Sequence, residues 1–224
     1  SWGLLLVSGL KSAEAVAAAF GIEVRALQLL HTLPATIGGQ QALILRTEET
    51  GEQDFEVLLP ADAVPAAWNQ LMTSGAPFDI KPVGAQAREL LRIEAGLPKA
   101  GPDLNEEIVP PEANLEGKAF SLSKGCYPGQ EVVARMDTYG NVRRHLVGLI
   151  IQDKTVPPAG SKLFSGDREV GWVSSAVFSP QRNAALAFGF PLRDFSAPDT
   201  TLTVEVAGTR HQATVHALPF QKHS

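Results

Sequence analysis

The spacing of apolar and polar positions changes character along the chain, and each change predicts a different element. Residues 2–7 form a short apolar run closed by Ser8-Gly9, the pattern of a buried strand. Ser12 then stands as an N-cap before an Ala-rich helical stretch that runs to Phe20 and stops at Gly21. Apolar residues alternate over 27–33 and recur over 42–45 on either side of Gly38-Gly39, which predicts a hairpin. Residues 55–59 predict a further strand after the turn at Thr50-Gly51. Asp62 opens a helix through Leu71, and Gly75, Pro77 and Ile80 mark the return. Residues 85–95 have helical spacing, with Leu90, Leu91 and Ile93 as apolar members and Gly96 as the stop. This part of the chain reads as α+β.

Periodicity fails from Leu97 to Lys124, where Pro98, Gly101, Pro102, Pro110 and Pro111 interrupt a long loop carrying Asp103, Glu106, Glu107 and Glu112. Loops of that length within compact domains are functional or disordered. After Arg143 the spacing becomes that of short strands, at 146–151, 162–164, 170–178, 184–190, 202–206 and 212–217. Turn signals at Pro157-Pro158, Gly166-Asp167 and Gly208 fit a small antiparallel β-barrel, with Trp172 and Phe178 as core or interface aromatics. The expected division is an α+β domain over residues 1–142 and a barrel domain over 143–224.

Composition narrows the picture modestly. A chain of 224 residues that is 44% hydrophobic has material for one large core or two smaller ones. A net charge of −5 without blocks of like charge gives no electrostatic reason to expect nonspecific nucleic-acid or acidic-membrane binding. A single cysteine excludes an intrachain disulfide framework or a four-cysteine metal site and fits a reducing compartment. The five histidines are dispersed without metal-ligand spacing, so no resident metal is expected. No apolar run is long enough to span a bilayer and no basic leader precedes residue 2, which predicts a cytoplasmic protein without membrane partners. The chain starts without Met on an apolar run, as though cut from a longer one.

The cysteine sits in Lys124-Gly125-Cys126-Tyr127-Pro128-Gly129-Gln130-Glu131. Glycines permit backbone conformations closed to other residues, Pro128 stiffens the turn between them, and Tyr127 adds an aromatic face with a polar tip. Such a loop is suited to present a thiol. Lys124 nearby favours the thiolate, the form that acts as nucleophile or metal ligand, and a depressed pKa is expected for Cys126. Lys124 can instead hold a phosphate or polyglutamate tail. Gln130 and Glu131 close the loop, with Arg135 one helical turn beyond Glu131. The alternative is a buried cysteine acting as a small hydrophobe, with glycines that only mark a turn.

Segment 124–131 resembles the Lys-Gly-Cys-Tyr-x-Gly-Gln-Glu motif of the YgfZ-type folate-binding proteins, relatives of the glycine-cleavage aminomethyltransferase (T-protein). Thr50-Gly51-Glu52-Gln53-Asp54-Phe55-Glu56 resembles that family's Thr-Gly-Glu-x-Gly-Phe-Glu, with Asp54 in place of glycine. Residues 87–96 resemble its Ala-Arg-Asp-x-Leu-Arg-Leu-Glu-Ala-Gly helix. The resemblance implies an aminomethyltransferase-type folate-binding domain lacking roughly a hundred upstream residues, an amount within one small domain, followed by the barrel. It implies tetrahydrofolate or a derivative as cofactor, with Glu56 and Arg88 as its contacts. The chemistry suits them, since a carboxylate accepts two hydrogen bonds from an aminopyrimidinone edge and a guanidinium bonds or stacks on the ring. Without the resemblance, alternation alone makes Glu56 an outward strand residue and leaves Arg88, Glu89 and Arg92 as helix-surface charges. Arg92 and Glu94 are read as structural, tying the helix to the following loop.

The function so implied is that of a bacterial tetrahydrofolate-binding auxiliary protein for iron–sulfur cluster assembly or repair. Cys126 would be its reactive element, and its partners iron–sulfur proteins, including tRNA-modifying enzymes, or cluster-assembly factors. The alternative is a folate-dependent aminomethyl or one-carbon transferase of T-protein type, whose catalytic aspartate lies in the upstream segment. A third reading is a folate-fold scaffold that works by protein contacts.

Overall fold

A computed structural model describes residues 1–121, 123–131, 133, 134 and 142–220. These fall into two compact units that meet within one helix, between Leu91 and Arg92.

The first unit is a four-stranded antiparallel sheet in the order β1-β4-β3-β2, with β1 Trp2–Ser8, β2 Thr32–Ile37, β3 Gln40–Thr47 and β4 Asp54–Pro60. Helices α1 (Ser12–Phe20) and α2 (Val64–Ser74) cover one face of it. The pleat sends alternate residues to opposite faces, so Phe55, Val57 and Leu59 are fully buried with Ile44 and Val16, whereas Glu56 and Leu58 belong to the other face. Gly38 and Gly39 both adopt positive φ, at 58° and 79°, as a tight hairpin between β2 and β3 demands.

Three local expectations need correction. Ser12 is the first helical residue and does not cap α1. The cap position is Lys11, and the Ser12 hydroxyl donates instead to the Gln53 carbonyl at 2.7 Å because the turn at Gly9 folds the helix start against the β4 entry. Residues 27–31 lie outside any strand, with a turn at Leu29-Leu30 and Leu30 at φ 63°, so β2 begins only at Thr32. Helix α2 begins at Val64 rather than Asp62, with Pro65 in its first turn, where a missing N–H costs nothing.

Helix α3 (Ala85–Glu94) buries Arg92, Ile93 and Glu94, while Leu90 and Leu91 stay half-exposed. The second unit also contains a closed barrel in the order β10-β5-β8-β7-β6-β9. Its strands are β5 Val147–Ile151, β6 Lys162–Ser165, β7 Arg168–Ser179, β8 Ala184–Gly189, β9 Thr201–Val206 and β10 Thr209–His216. Every residue of β8 is buried: Ala185 and Ala187 face the barrel interior, and Leu186 and Phe188 pack outside with Ile93, Leu146 and Phe220. Gly148 is required there, because a Cβ would come within 2.6 Å of the Phe220 ring. Among the described residues of 146–217 the one helical turn is the short 3-10 segment Arg193–Phe195. The packing division nevertheless comes earlier, at Arg92, because the end of α3 and the loop after it are anchored on the barrel.

Asp103 makes that anchor. Fully buried in the irregular loop, it accepts from the Arg92 guanidinium at 2.8 Å, the Lys99 amide at 3.0 Å and the Ser174 and Ser175 hydroxyls at 2.5 and 2.7 Å. Consecutive strand residues reach one carboxylate because β7 slips register between Val173 and Ser175, and such a bulge re-aims side chains. Arg92 also donates to the Leu97 carbonyl at 2.6 Å and lies 5.4 Å from the Phe188 ring centroid. Glu94 accepts from the Ser179 hydroxyl at 2.7 Å. Arg92 thus ties the helix to the following loop, whereas Glu94 ties it to β7.

With Arg92 and Asp103 side chains only 7% and 0% exposed, removing either partner strands a buried charge. Asp103→Ala is expected to destabilise the protein by about 3–5 kcal/mol, read as a lower urea midpoint. The Arg92→Ala, Asp103→Ala double variant should cost less than the sum of the singles. Additive losses would show that the pair is not coupled.

Candidate functional site

Glu56 lies mid-way along β4, paired with Leu6 of β1 and Leu45 of β3. Its neighbours toward the middle of that face are apolar: Leu6, Leu43, Leu45 and Leu58 are half-buried and Leu4 is 50% exposed. A carboxylate on such a face loses hydration, and its pKa is raised above the ordinary value, first by that burial, then by the charge of Glu49 and less by that of Asp54. Arg88 opposes the shift. The residue is therefore a partly buried acceptor close enough to Arg88 to feel its charge.

Arg88 is placed by the first turns of α3, its amide bonded to the Gly84 carbonyl at 3.2 Å. Its guanidinium meets Glu49 at 2.6 Å, with side chains 55% and 38% exposed. Glu49 sits in the turn between β3 and β4, and Asp54 organises that turn. Fully buried, Asp54 accepts from the Glu49 amide at 2.5 Å, the Thr50 amide at 2.7 Å and the Thr50 hydroxyl at 2.8 Å. The aspartate in place of the motif's glycine thus leaves a well-closed turn, with Gly51 at φ 81°.

Glu49 and Asp54 were missed by the sequence reading. The signal for Asp54 was present: an aspartate closing a Thr-Gly turn, a residue type that bonds nearby backbone amides. Glu49 had none, since its partner lies 39 residues away.

The Cys126 segment belongs to the second unit. Cys126 is exposed, so it is not a buried small hydrophobe. Gly129, at φ 85°, needs to be glycine, whereas a side chain at Gly125 would meet no atom within 4 Å. Gln130 donates its amide to the Tyr127 carbonyl at 3.2 Å, and residues 130, 131, 133 and 134 are helical, with Glu131 exposed in that first turn. The Lys124 ammonium lies 4.6 Å from the Tyr127 ring centroid, a cation–π contact. The Tyr127 hydroxyl is buried without a hydrogen-bond partner among the described residues. Arg135 falls outside the described residues. Among the described residues no helix is long and apolar enough to cross a membrane, and no group of His, Cys, Asp or Glu is placed to hold a metal ion.

Comparison with known proteins gives a consistent relationship. The GCVT N-terminal domain matches residues 1–122 and the glycine cleavage T-protein C-terminal barrel domain matches 144–222, with the Cys126 motif between them. Relatives named aminomethyltransferase include one from Saccharopolyspora erythraea, 33% identical over 99% of this chain and 60% of its own length. Another, from Chlorobium limicola, is 34% identical over 81% of this chain and 50% of its own. A third, from a Geobacillus strain, is 35% identical over 83% and 51%. The chain thus spans between half and three-fifths of the length of these relatives. The crystal structure of the glycine cleavage system aminomethyltransferase T from Bartonella henselae shares the fold at a TM-score of 0.73, with 20% identity over 98% of this chain and 84% of that one. With both family domains matched in order, over an α+β unit and a closed barrel, the chain belongs to the glycine cleavage T-protein family.

Proposed function

We propose that the chain is the folate-binding part of a T-protein-type protein, with Glu56 and Arg88 holding the pterin ring of tetrahydrofolate or a derivative. The observation that carries this reading is Glu56 itself, a carboxylate under-hydrated on an apolar sheet face with Arg88 within electrostatic reach. Those residues fit the group. The aminopyrimidinone edge offers adjacent N–H donors that a carboxylate accepts as a pair, the apolar face receives the ring, and the guanidinium donates to a ring oxygen. Bound tetrahydrofolate supplies nitrogen atoms that carry a one-carbon unit. Glu56 and Arg88 bind and orient that ring, and the leucines around them exclude water.

The relatives' names favour a folate-dependent aminomethyl or one-carbon transferase as the role of this site. A specific observation supports a second role. The 124–131 segment resembles the YgfZ motif and presents an exposed thiol, which suits an auxiliary protein for iron–sulfur clusters. There Cys126 offers one sulfur ligand to iron carried by a partner protein, the cluster being cargo.

In the intact protein, Glu56→Ala and Arg88→Ala are each expected to weaken tetrahydrofolate binding by about 1.5–3 kcal/mol, the worth of a charge-assisted hydrogen bond, in calorimetric titration. Unchanged affinity in both variants would rule out this site.

Glu56 also predicts a trade of stability against binding. Its folded-state pKa is raised, so the native state holds this proton more tightly than the unfolded one. Stability then falls as pH rises from the unfolded value through the folded one, and the penalty persists above it. Glu56→Gln should therefore raise the thermal midpoint of the ligand-free protein at pH 7, with the gain vanishing at a pH below the ordinary carboxylate range. A gain that stays constant with pH would come from something other than charge burial.

Cys126 is expected to react with iodoacetamide in native buffer and, as Cys126→Ala, to leave tetrahydrofolate affinity intact. A strain carrying Cys126→Ala should lose activity of several iron–sulfur enzymes if the auxiliary role is right. Undiminished activities, together with one-carbon transfer by the purified full-length protein, would establish the transferase role instead.

A further inference from the structure

The first unit contains a buried charge that the folate reading does not use. Asp54 stands where the resembled motif has glycine, fully buried at the entry to β4, and its carboxylate collects three donors from Glu49 and Thr50. We propose that Asp54 is the positioning residue of the Glu56–Arg88 site: by closing the turn it holds Glu49, and through Glu49 the guanidinium of Arg88, beside Glu56. This inference rests on the folate reading of Glu56 and Arg88.

An ion pair as exposed as Glu49 with Arg88 contributes little stability by itself, so where the pair sits is set by the backbone that carries Glu49. What confines Glu49 is its backbone, because its amide is pinned at 2.5 Å to a carboxylate that has no freedom of its own. Replacing that acceptor leaves the Glu49 and Thr50 amides without their partner, and an unmade bond from a buried donor costs more than the bond was worth. The turn would open and Glu49 would carry Arg88 with it.

Charge gives Asp54 a second handle on the site. Asp54 and Glu56 are alternate residues of β4 and so project from the same face. The flanking strands present uncharged neighbours, Leu6 and Ser8 from β1 and Leu45 and Thr47 from β3. The charged groups around Glu56 are thus Glu49 and Asp54, which raise its proton affinity, and Arg88 from α3, which lowers it, with Glu52 in the same turn. Removing the Asp54 charge should therefore ease ionisation of Glu56, an effect that a purely structural turn residue does not produce.

The test compares the wild-type protein, Asp54→Asn and Thr50→Val, with Glu56→Ala as reference. The readouts are the titration of the Glu56 side-chain carboxyl by carbon NMR without ligand and tetrahydrofolate affinity at pH 7.5. Asp54→Asn is expected to lower the Glu56 titration midpoint and to weaken folate binding about tenfold, as for loss of one charge-assisted contact. Thr50→Val removes one hydroxyl bond and no charge, so the midpoint should stay while affinity falls several-fold. A folded Asp54→Asn with an unmoved midpoint overturns the proposal. If Asp54→Asn does not fold, unchanged affinity in Thr50→Val overturns it. Should Glu56→Ala bind as tightly as wild type, the folate reading fails on its own account, while the ligand-free titration still reports whether Asp54 governs Glu56.

Discussion

The pleat of β4 is the constraint on which the first unit depends. Phe55, Val57 and Leu59 are wholly buried beneath the helices, so a one-residue slip of this strand would exchange that core with Glu56 and Leu58. The register is held on both edges, by β1 from Trp2 opposite Pro60 to Ser8 opposite Asp54, and by β3 from Leu43 opposite Leu58 to Thr47 opposite Asp54. Burying the odd-numbered residues therefore decides where Glu56 goes. The candidate site is a by-product of core formation, with its carboxylate on the face that the helices do not cover.

Buried charge does the complementary work of fixing chain that has no regular hydrogen-bond ladder. Asp54 closes the turn before β4, and Asp103 closes the proline-rich loop against β7. Each takes several donors from backbone and side chains, which is what makes a dehydrated carboxylate tolerable. These anchors bring order rather than large net stability, since a buried pair offsets much of its attraction by lost hydration. The loop after α3 is thus part of the barrel unit, although its sequence lacks any periodic signal.

The family relationship and the Cys126 motif bear on different levels of function. Both family matches stop short of residues 123–143, so they speak for the fold on either side of that stretch. The exposed thiol lies in the intervening stretch. Lys124 contributes to that loop by lying over Tyr127, a packing role that sequence proximity to the cysteine did not suggest.

The strands, the helices and the switch from helical to strand spacing near Arg143 were legible in the sequence, because periodicity records which face of an element is buried. Glycine pairs marked the β2–β3 hairpin for the same local reason, and motif resemblance pointed to Glu56, Arg88 and Cys126. Tertiary structure alone decided that the packing units meet at Arg92 and that Ser12 bonds Gln53 instead of capping its helix. It alone decided, too, that Ser174 and Ser175 both reach Asp103 and that Glu49 meets Arg88. Each of these depends on atoms brought together from distant parts of the chain, and a one-dimensional pattern reports the preference of a residue for burial without naming the partner it finds there.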